Sequence, residues 1–351
     1  MGSDGTPPAR VAGIDLVKAA AILCVVTLHV STGGLGAAPG SAAWLGAAFW
    51  TCAVRAGVPL FFMCSGALLL PPEKDLPLKR LWGKNILKIV VAMLFWAVFY
   101  KVFHLLGSGA FSLPALWQGV KEVLVFRQEF HLYYLHIILL VYAFLPLTRL
   151  IVRHASETEL RYALLLWFAL GIVFPTVRTF WPFTLLTDIP LQWMLNMTYA
   201  AIGYGVLGYY LTRHLPSVRV SAALTAAGFL LILVPTALLS VKNGVLEQRF
   251  LEGMSVGVCL LAAGLFSLLY RAGNRLREGR FRAAVTALSK ASFCIFLVHV
   301  AWLSVFDRLG WTAAAFAPIL SVPLLALAVA ALSWGCRLLL SKIPFVNKWL
   351  I

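Results

Sequence analysis

Long apolar runs dominate this chain, each bounded by short polar or basic segments. Runs at roughly 11–33, 44–70, 84–107, 132–151, 161–177, 191–212, 219–241, 253–270, 286–306 and 314–340 are each long enough to cross a bilayer as a helix. The pattern predicts an all-α polytopic membrane protein of about ten transmembrane helices. Pro175 and Pro182 interrupt the end of the fifth run. The first run carries Asp15 and Lys18 and lacks a small-residue cleavage site, so it reads as a span and not as a cleavable signal. Residues 1–10 read as a short leader, 11–341 as one transmembrane domain and 342–351 as a short tail. The connections expected outside the cell are short, the longest being about 108–130.

Composition agrees. Hydrophobic residues make up 61% of the chain and mean hydropathy is +0.90, outside the range of soluble domains. The net charge of +16 would suggest nucleic acid, but its distribution argues against that partner. With the N-terminus in the cytoplasm and helices alternating, Lys and Arg collect in the cytoplasmic loops, as in Arg271, Arg275, Arg277, Arg280 and Arg282. The outer loops hold few, such as Lys121 and Lys242. This is the positive-inside bias, and anionic lipid is partner enough for most of it. Both termini are therefore expected in the cytoplasm. The six cysteines all lie in apolar segments without metal-ligand spacing, so they read as small hydrophobes and no metal is expected.

Against that background a few polar residues stand out, because ionisable groups in a bilayer usually face a cavity and do work. The first helix carries Asp15, Lys18 and His29. At 100° per residue, Lys18 and His29 fall within about 20° of one direction and Asp15 within about 40°. At 1.5 Å per residue, Lys18 and His29 are about 16 Å apart along the axis. The second run holds Arg55 just before Pro59, an irregular segment expected to line a cavity, and Ser65-Gly66, which suits a close helix contact. Lys79 precedes Arg80, Lys84 and Lys88, whose spacing of four makes a cationic stripe suited to a polyphosphate. By itself the stripe is better explained as a positive-inside anchor. The fourth run opens with His131, Tyr133 and Tyr134 at the expected outer face, where they could contact a hydroxylated acceptor or form an aromatic belt. Gln192, Asn196 and Tyr199 share a face of the sixth run, ahead of Gly203, Gly205 and Gly208. The ninth run places Ser292 and His299 on one face.

These motifs together resemble the acyltransferase 3 family, bacterial membrane O-acyltransferases that modify surface glycans. The matching elements are Asp15-x2-Lys18-x10-His29, Val58-Pro59-Leu60-Phe61-Phe62-Met63-x-Ser65-Gly66, the basic run Lys79 to Lys88, the His131-Leu132-aromatic-aromatic start of the fourth span, and Ser292-x2-Ile295-x3-His299. They occur in order over most of the chain. Within the family the chain is most similar to the stand-alone O-acetyltransferase type acting on enterobacterial common antigen. It departs from the family in three places. Lys18 stands where arginine is usual, Phe296 replaces a common tyrosine, and Ala67 replaces a common aromatic.

The resemblance implies acyl transfer, acetyl above all, from cytoplasmic acyl-CoA to a hydroxyl of a surface or lipid-linked glycan, in a bacterial cytoplasmic membrane. An alcohol needs a general base, most often histidine, and His29 is the candidate, with Asp15 and His299 as further catalytic candidates. Lys18, Lys79, Arg80, Lys84, Lys88 and Arg55 are candidates for the donor. Asp15 is expected to orient Lys18. His131, Tyr133, Tyr134 and Asn196 are candidates for the acceptor. The oxyanion donor is not evident, with Arg55, Ser65 and Asn196 as options. The rival class is a secondary transporter of a small polar solute, which suits intramembrane charges and a broken helix. Against it, no internal repeat relates the two halves, and transfer from acetyl-CoA would discriminate the two.

Overall fold

The computed structural model describes residues 10–178, 180, 182–186, 195 and 197–351. Among them there is no strand, and nine helices are long and apolar enough to cross a membrane. A further helix, Met197–Arg213, begins at the edge of the described residues and holds most of the sixth run. The chain is thus an all-α polytopic membrane protein. Gln192 and Asn196 lie outside the described residues.

Helix α1 (Ala12–Thr32) is the hub. It is apolar nearly all round, the pattern of a helix buried on every side. The second run folds as two helices, α2 (Ala42–Ala53) and α3 (Gly57–Leu69), with a break at Val54–Ala56. Pro59 explains it. Proline has no N–H to bond the Arg55 carbonyl four residues back, and its ring clashes there, so the helix restarts just before it. The third run begins with a π-helical stretch, Leu81–Ile86, before α4 (Leu87–Gly107). An amphipathic α5 (Leu113–Leu124) fills the long connection and is capped by the Ser112 hydroxyl, which accepts from the Ala115 N–H.

Next come α6 (Tyr133–His154), α7 (Glu157–Phe168), α8 (Met197–Arg213), α9 (Val218–Asn243), α10 (Val256–Asn274), α11 (Arg280–Arg308) and α12 (Pro318–Leu340). After α7, a π stretch at Ala169–Val173 precedes Pro175, and the span continues to Val177 despite the proline. Helix α1 packs against α3, α10, α11 and α12. Helix α9 turns Leu230, Leu231, Val234 and Leu238 outward, as a lipid-facing helix should.

Two contacts fix the arrangement around the site. Helices α3 and α8 cross at their glycines: a Cβ on Gly66 would lie 1.8 Å from the Gly205 carbonyl oxygen, and one on Gly208 would lie 2.2 Å from that of Met63. The expected close helix contact at Ser65-Gly66 is therefore present. At the N-terminal end of α1, Asp15 accepts from Arg10 at 2.5 and 2.8 Å and from the Ser289 hydroxyl of α11 at 2.7 Å. The basic loop residues interlock at that same end. Arg149 donates to the carbonyls of Leu69, Pro71 and Lys74, Arg213 pairs with Glu73 at 2.8 Å, and Arg271 donates to the Pro216 carbonyl at 2.6 Å. Lys101–Glu122 and His104–Glu129 pair at the opposite end.

Candidate active site

An open cavity of about 440 Å³ enters from the Asp15 end, between α1, α3, α4, α6 and α11. That volume falls within the range of small-molecule sites. Lys18, Lys74, Asn85 and Lys88 supply its polar lining, while Tyr134 and Phe296 are among its aromatic walls. Among the described residues no acidic side chain is within ion-pair distance of Lys18, Lys74 or Lys88. The Lys74 ammonium donates to the Leu68 carbonyl at 2.7 Å, and that of Lys88 donates to the main-chain oxygen of Ile351 at 2.7 Å. Burial, reinforced by Arg80 and Arg149 nearby, holds the Lys74 pKa below the usual lysine range.

The cationic stripe is divided by the π stretch. A π turn takes more residues than an α turn, so a spacing of four no longer keeps one face. Lys88 lines the cavity, Asn85 joins it, and Lys79, Arg80 and Lys84 stay exposed. Arg80 still lies within electrostatic reach of Lys74, and Lys84 of Lys88, so the two form a basic rim to the cavity. Asp15 lies within electrostatic reach of Lys18 but makes no direct ion pair with it. Its oxygens are committed to Arg10 and Ser289, with Thr286 at 3.4 Å. It also sits 14 residues before His29, about 21 Å along α1, so it touches no chemistry centred there.

Beyond the aromatic wall lies a cluster of three histidines. His29 Nδ1 is 2.6 Å from His299 Nε2. The His131 and His299 rings meet edge to face at 5.3 Å. His299 is fully buried, His131 is 1% exposed and His29 is only half-buried. The protonation pattern follows from hydrogen-bond partners alone. His299 Nδ1 is 2.8 Å from the Phe296 carbonyl and 3.2 Å from that of Ile295, so it must donate. Neutral His299 then has its lone pair on Nε2 and accepts from His29 Nδ1–H. His29 is left with its lone pair on Nε2, the atom a general base uses.

His131 stands just before α6, at the end of the span where the sequence put it, but it is buried and not open at a mouth. It is packed among Tyr100, Phe130, Phe296 and His299, with centroids 5.1 to 5.7 Å away. By hydrogen-bond geometry neither ring nitrogen has a partner among the described residues. The Leu297 carbonyl, which accepts from the Tyr100 hydroxyl at 2.7 Å, is close enough to attract the ring. A buried polar group left unpaired costs about 1–3 kcal/mol.

Tyr133 and Tyr134 do not act as a pair, since neighbours on a helix point about 100° apart. Tyr133 is exposed beside Arg55 and Glu252, whereas Tyr134 lines the cavity with Phe61 and Phe296. Arg55 stands apart from the cavity lysines. The break at Val54–Ala56 places it near His29, where its Nε donates to the Leu251 carbonyl. Ser65 lines the cavity near Lys18. Sequence reasoning did not single out Lys74, Asn85 or Phe296 as site residues. Lys74 sits in a loop with no periodicity to read, and Asn85 turns inward only because of the π stretch.

Among the described residues no group of three His, Cys, Asp or Glu side chains converges to hold a metal ion. Comparison with curated proteins and with solved structures finds no match. The acyltransferase 3 family profile, described as an acyltransferase domain, matches residues 11–338, nearly the whole chain. With that match over nearly its whole length, the chain, whose cation-lined cavity is walled by aromatic rings with a histidine pair behind them, belongs to the acyltransferase 3 family of membrane acyltransferases.

Proposed function

We propose that this chain transfers an acetyl or other short acyl group from acyl-CoA to a hydroxyl of a surface or lipid-linked glycan, with His29 as general base. The observation that carries the reading is the alignment along α1. The cationic cavity lies at one end, His29 lies about 16 Å further along from Lys18, and that rise is roughly the reach of an extended pantetheine arm. The donor phosphates sit against the rim formed by Arg80, Lys84 and Lys79 and on Lys18, Lys74 and Lys88. The pantetheine arm follows the cavity towards Tyr134 and Phe296. His29 Nε2 takes the proton of the acceptor hydroxyl as its oxygen attacks the thioester.

The charge bias puts the cavity mouth in the cytoplasm, where acyl-CoA is made. His29 is on the far side of the aromatic wall, so the acceptor arrives from the outer half, past Phe130, Tyr133 and Arg55. The resemblance to the enterobacterial common antigen enzyme favours a lipid-linked or surface glycan as acceptor and a bacterial cytoplasmic membrane as location. Mass spectrometry of surface glycans and lipid-linked sugars, with and without the gene, tests this. Loss of an acyl mass on deletion, restored by the wild-type gene and not by His29→Ala, is the expected result. Identical glycan spectra, together with no acyl-CoA turnover by the purified protein in liposomes, would refute it.

A further inference from the structure

We propose that His131 is the oxyanion-stabilising group of this site, a catalytic role distinct from acceptor binding; the inference rests on the acyl-transfer reading above. Of the other options, Arg55 lies on the Tyr133 and Glu252 side, with its Nε on the Leu251 carbonyl, and does not line the cavity; Ser65 lines it together with Lys18 and not beside the histidines. Asn196 lies outside the described residues. His131 instead lies where the donor cavity and the base approach each other. Phe296, a wall of the cavity, touches its ring at 5.5 Å, and His299, the partner of His29, touches it at 5.3 Å. The imidazole is 1% exposed and by hydrogen-bond geometry has no protein partner, although nearly every buried polar group has one. The Leu297 carbonyl, which accepts from the Tyr100 hydroxyl, bears on the ring, but neither ring nitrogen makes a hydrogen bond of acceptable geometry to it. Four aromatic contacts hold the ring in place. A fixed, unspent N–H in a water-poor site is what stabilises charge that develops only in the transition state.

The step balances as follows. The acceptor oxygen bonds to the thioester carbon while its proton passes to His29 Nε2. The carbonyl π pair moves onto oxygen, and His131 N–H donates to the resulting oxyanion. As the intermediate collapses the carbon–sulfur bond breaks, the thiolate leaves with the electron pair, and His29 returns the proton to it. The products are the ester and free CoA thiol. Water in place of the acceptor follows the same course, so hydrolysis and transfer each develop an oxyanion at the same position.

That shared oxyanion position gives the test. Wild type, His131→Ala and His131→Gln are compared in proteoliposomes with acetyl-CoA, with and without a glycolipid extract from the source cells as acceptor. An oxyanion role predicts that His131→Ala lowers hydrolysis and transfer together, by about 10²–10³-fold in kcat, with the acetyl-CoA KM within about twofold. Gln keeps an N–H donor and is expected to recover at least tenfold of the loss. His131→Phe keeps the ring and lacks the donor, and replaces the alanine variant if that variant fails to fold. Transfer falling while hydrolysis survives would overturn the proposal and make His131 an acceptor contact. Gln performing no better than Phe would also overturn it. Wild type inert towards acetyl-CoA would overturn the acyl-transfer reading itself, and this inference with it.

Discussion

Replacing His299 separates an oriented base from a merely buried one. In the reaction proposed, His29 becomes an imidazolium, and its Nδ1–H···Nε2 bond to His299 at 2.6 Å becomes charge-assisted. Only an interaction that strengthens in the transition state raises kcat. A hydrogen bond to a charged group is worth about 1.5–3 kcal/mol. At about 1.36 kcal/mol per tenfold, His299→Leu should lower kcat by about 10- to 150-fold. The acyl-CoA KM should hardly change, since the cavity lysines are remote from the pair. His299→Gln is the informative control. Its amide N–H can serve the Phe296 carbonyl and its amide oxygen can accept from His29, so it should stay within about tenfold of wild type. Free CoA thiol release by protein in liposomes gives the rates, and thermal melting checks that both variants fold. Wild-type turnover in His299→Leu, or equal damage from Leu and Gln, would refute the tautomer argument.

Four further outcomes are expected. His29→Ala should lower kcat by about 10²–10⁴-fold with little change in donor KM; near wild-type turnover would remove it from the mechanism. Lys18→Ala combined with Lys88→Ala should raise KM for the full CoA thioester, more so at low salt, and leave a truncated pantetheine thioester unaffected; equal responses would make these lysines a topology anchor only. Burial and like-charged neighbours lower the Lys74 pKa, so raising the pH discharges it before an ordinary lysine and donor KM should climb on the alkaline side. Lys74→Arg should flatten that climb, and an unchanged pH profile in the arginine variant would sink the assignment. Gly66→Ala should destabilise the fold by about 1–3 kcal/mol or more, because its Cβ would meet backbone and not a movable side chain; an unchanged melting curve would contradict the described α3–α8 contact.

The parts of this fold written in hydropathy were legible beforehand. The spans, the break near Pro59 and the small-residue crossing at Gly66 each follow from local rules, and His29 was identifiable from an unavoidable cost, a polar ring in an apolar helix. What failed was inference by helical phase across an irregularity. The stripe from Arg80 to Lys88 assumed 100° per residue, and the π stretch at Leu81–Ile86 changes the angle. Asp15 was given to Lys18 because they are near in sequence, whereas Arg10 and Ser289 claim its oxygens. The location of His131 depends on how four elements meet, and no single-segment pattern encodes that.

The displacement of Asp15 from the chemistry does not make it incidental. Helices α1 and α11 run in the same direction, since Asp15 meets Ser289 near the start of each and His29 meets His299 further along each. Parallel first and ninth spans are what strict alternation across a bilayer requires. The two contacts pin the same helix pair at two heights. One residue of slip between the helices is about 1.5 Å, which would lengthen a 2.6 Å nitrogen–nitrogen contact and tilt it away from the near-linear geometry a strong hydrogen bond needs. The Arg10–Asp15–Ser289 cluster therefore sets the register that lets His299 hold His29, and it does so at the end of α1 where the donor cavity opens. The carboxylate in the first-helix pattern thus fixes helix position across the thickness of the bundle, and with it the His29–His299 contact.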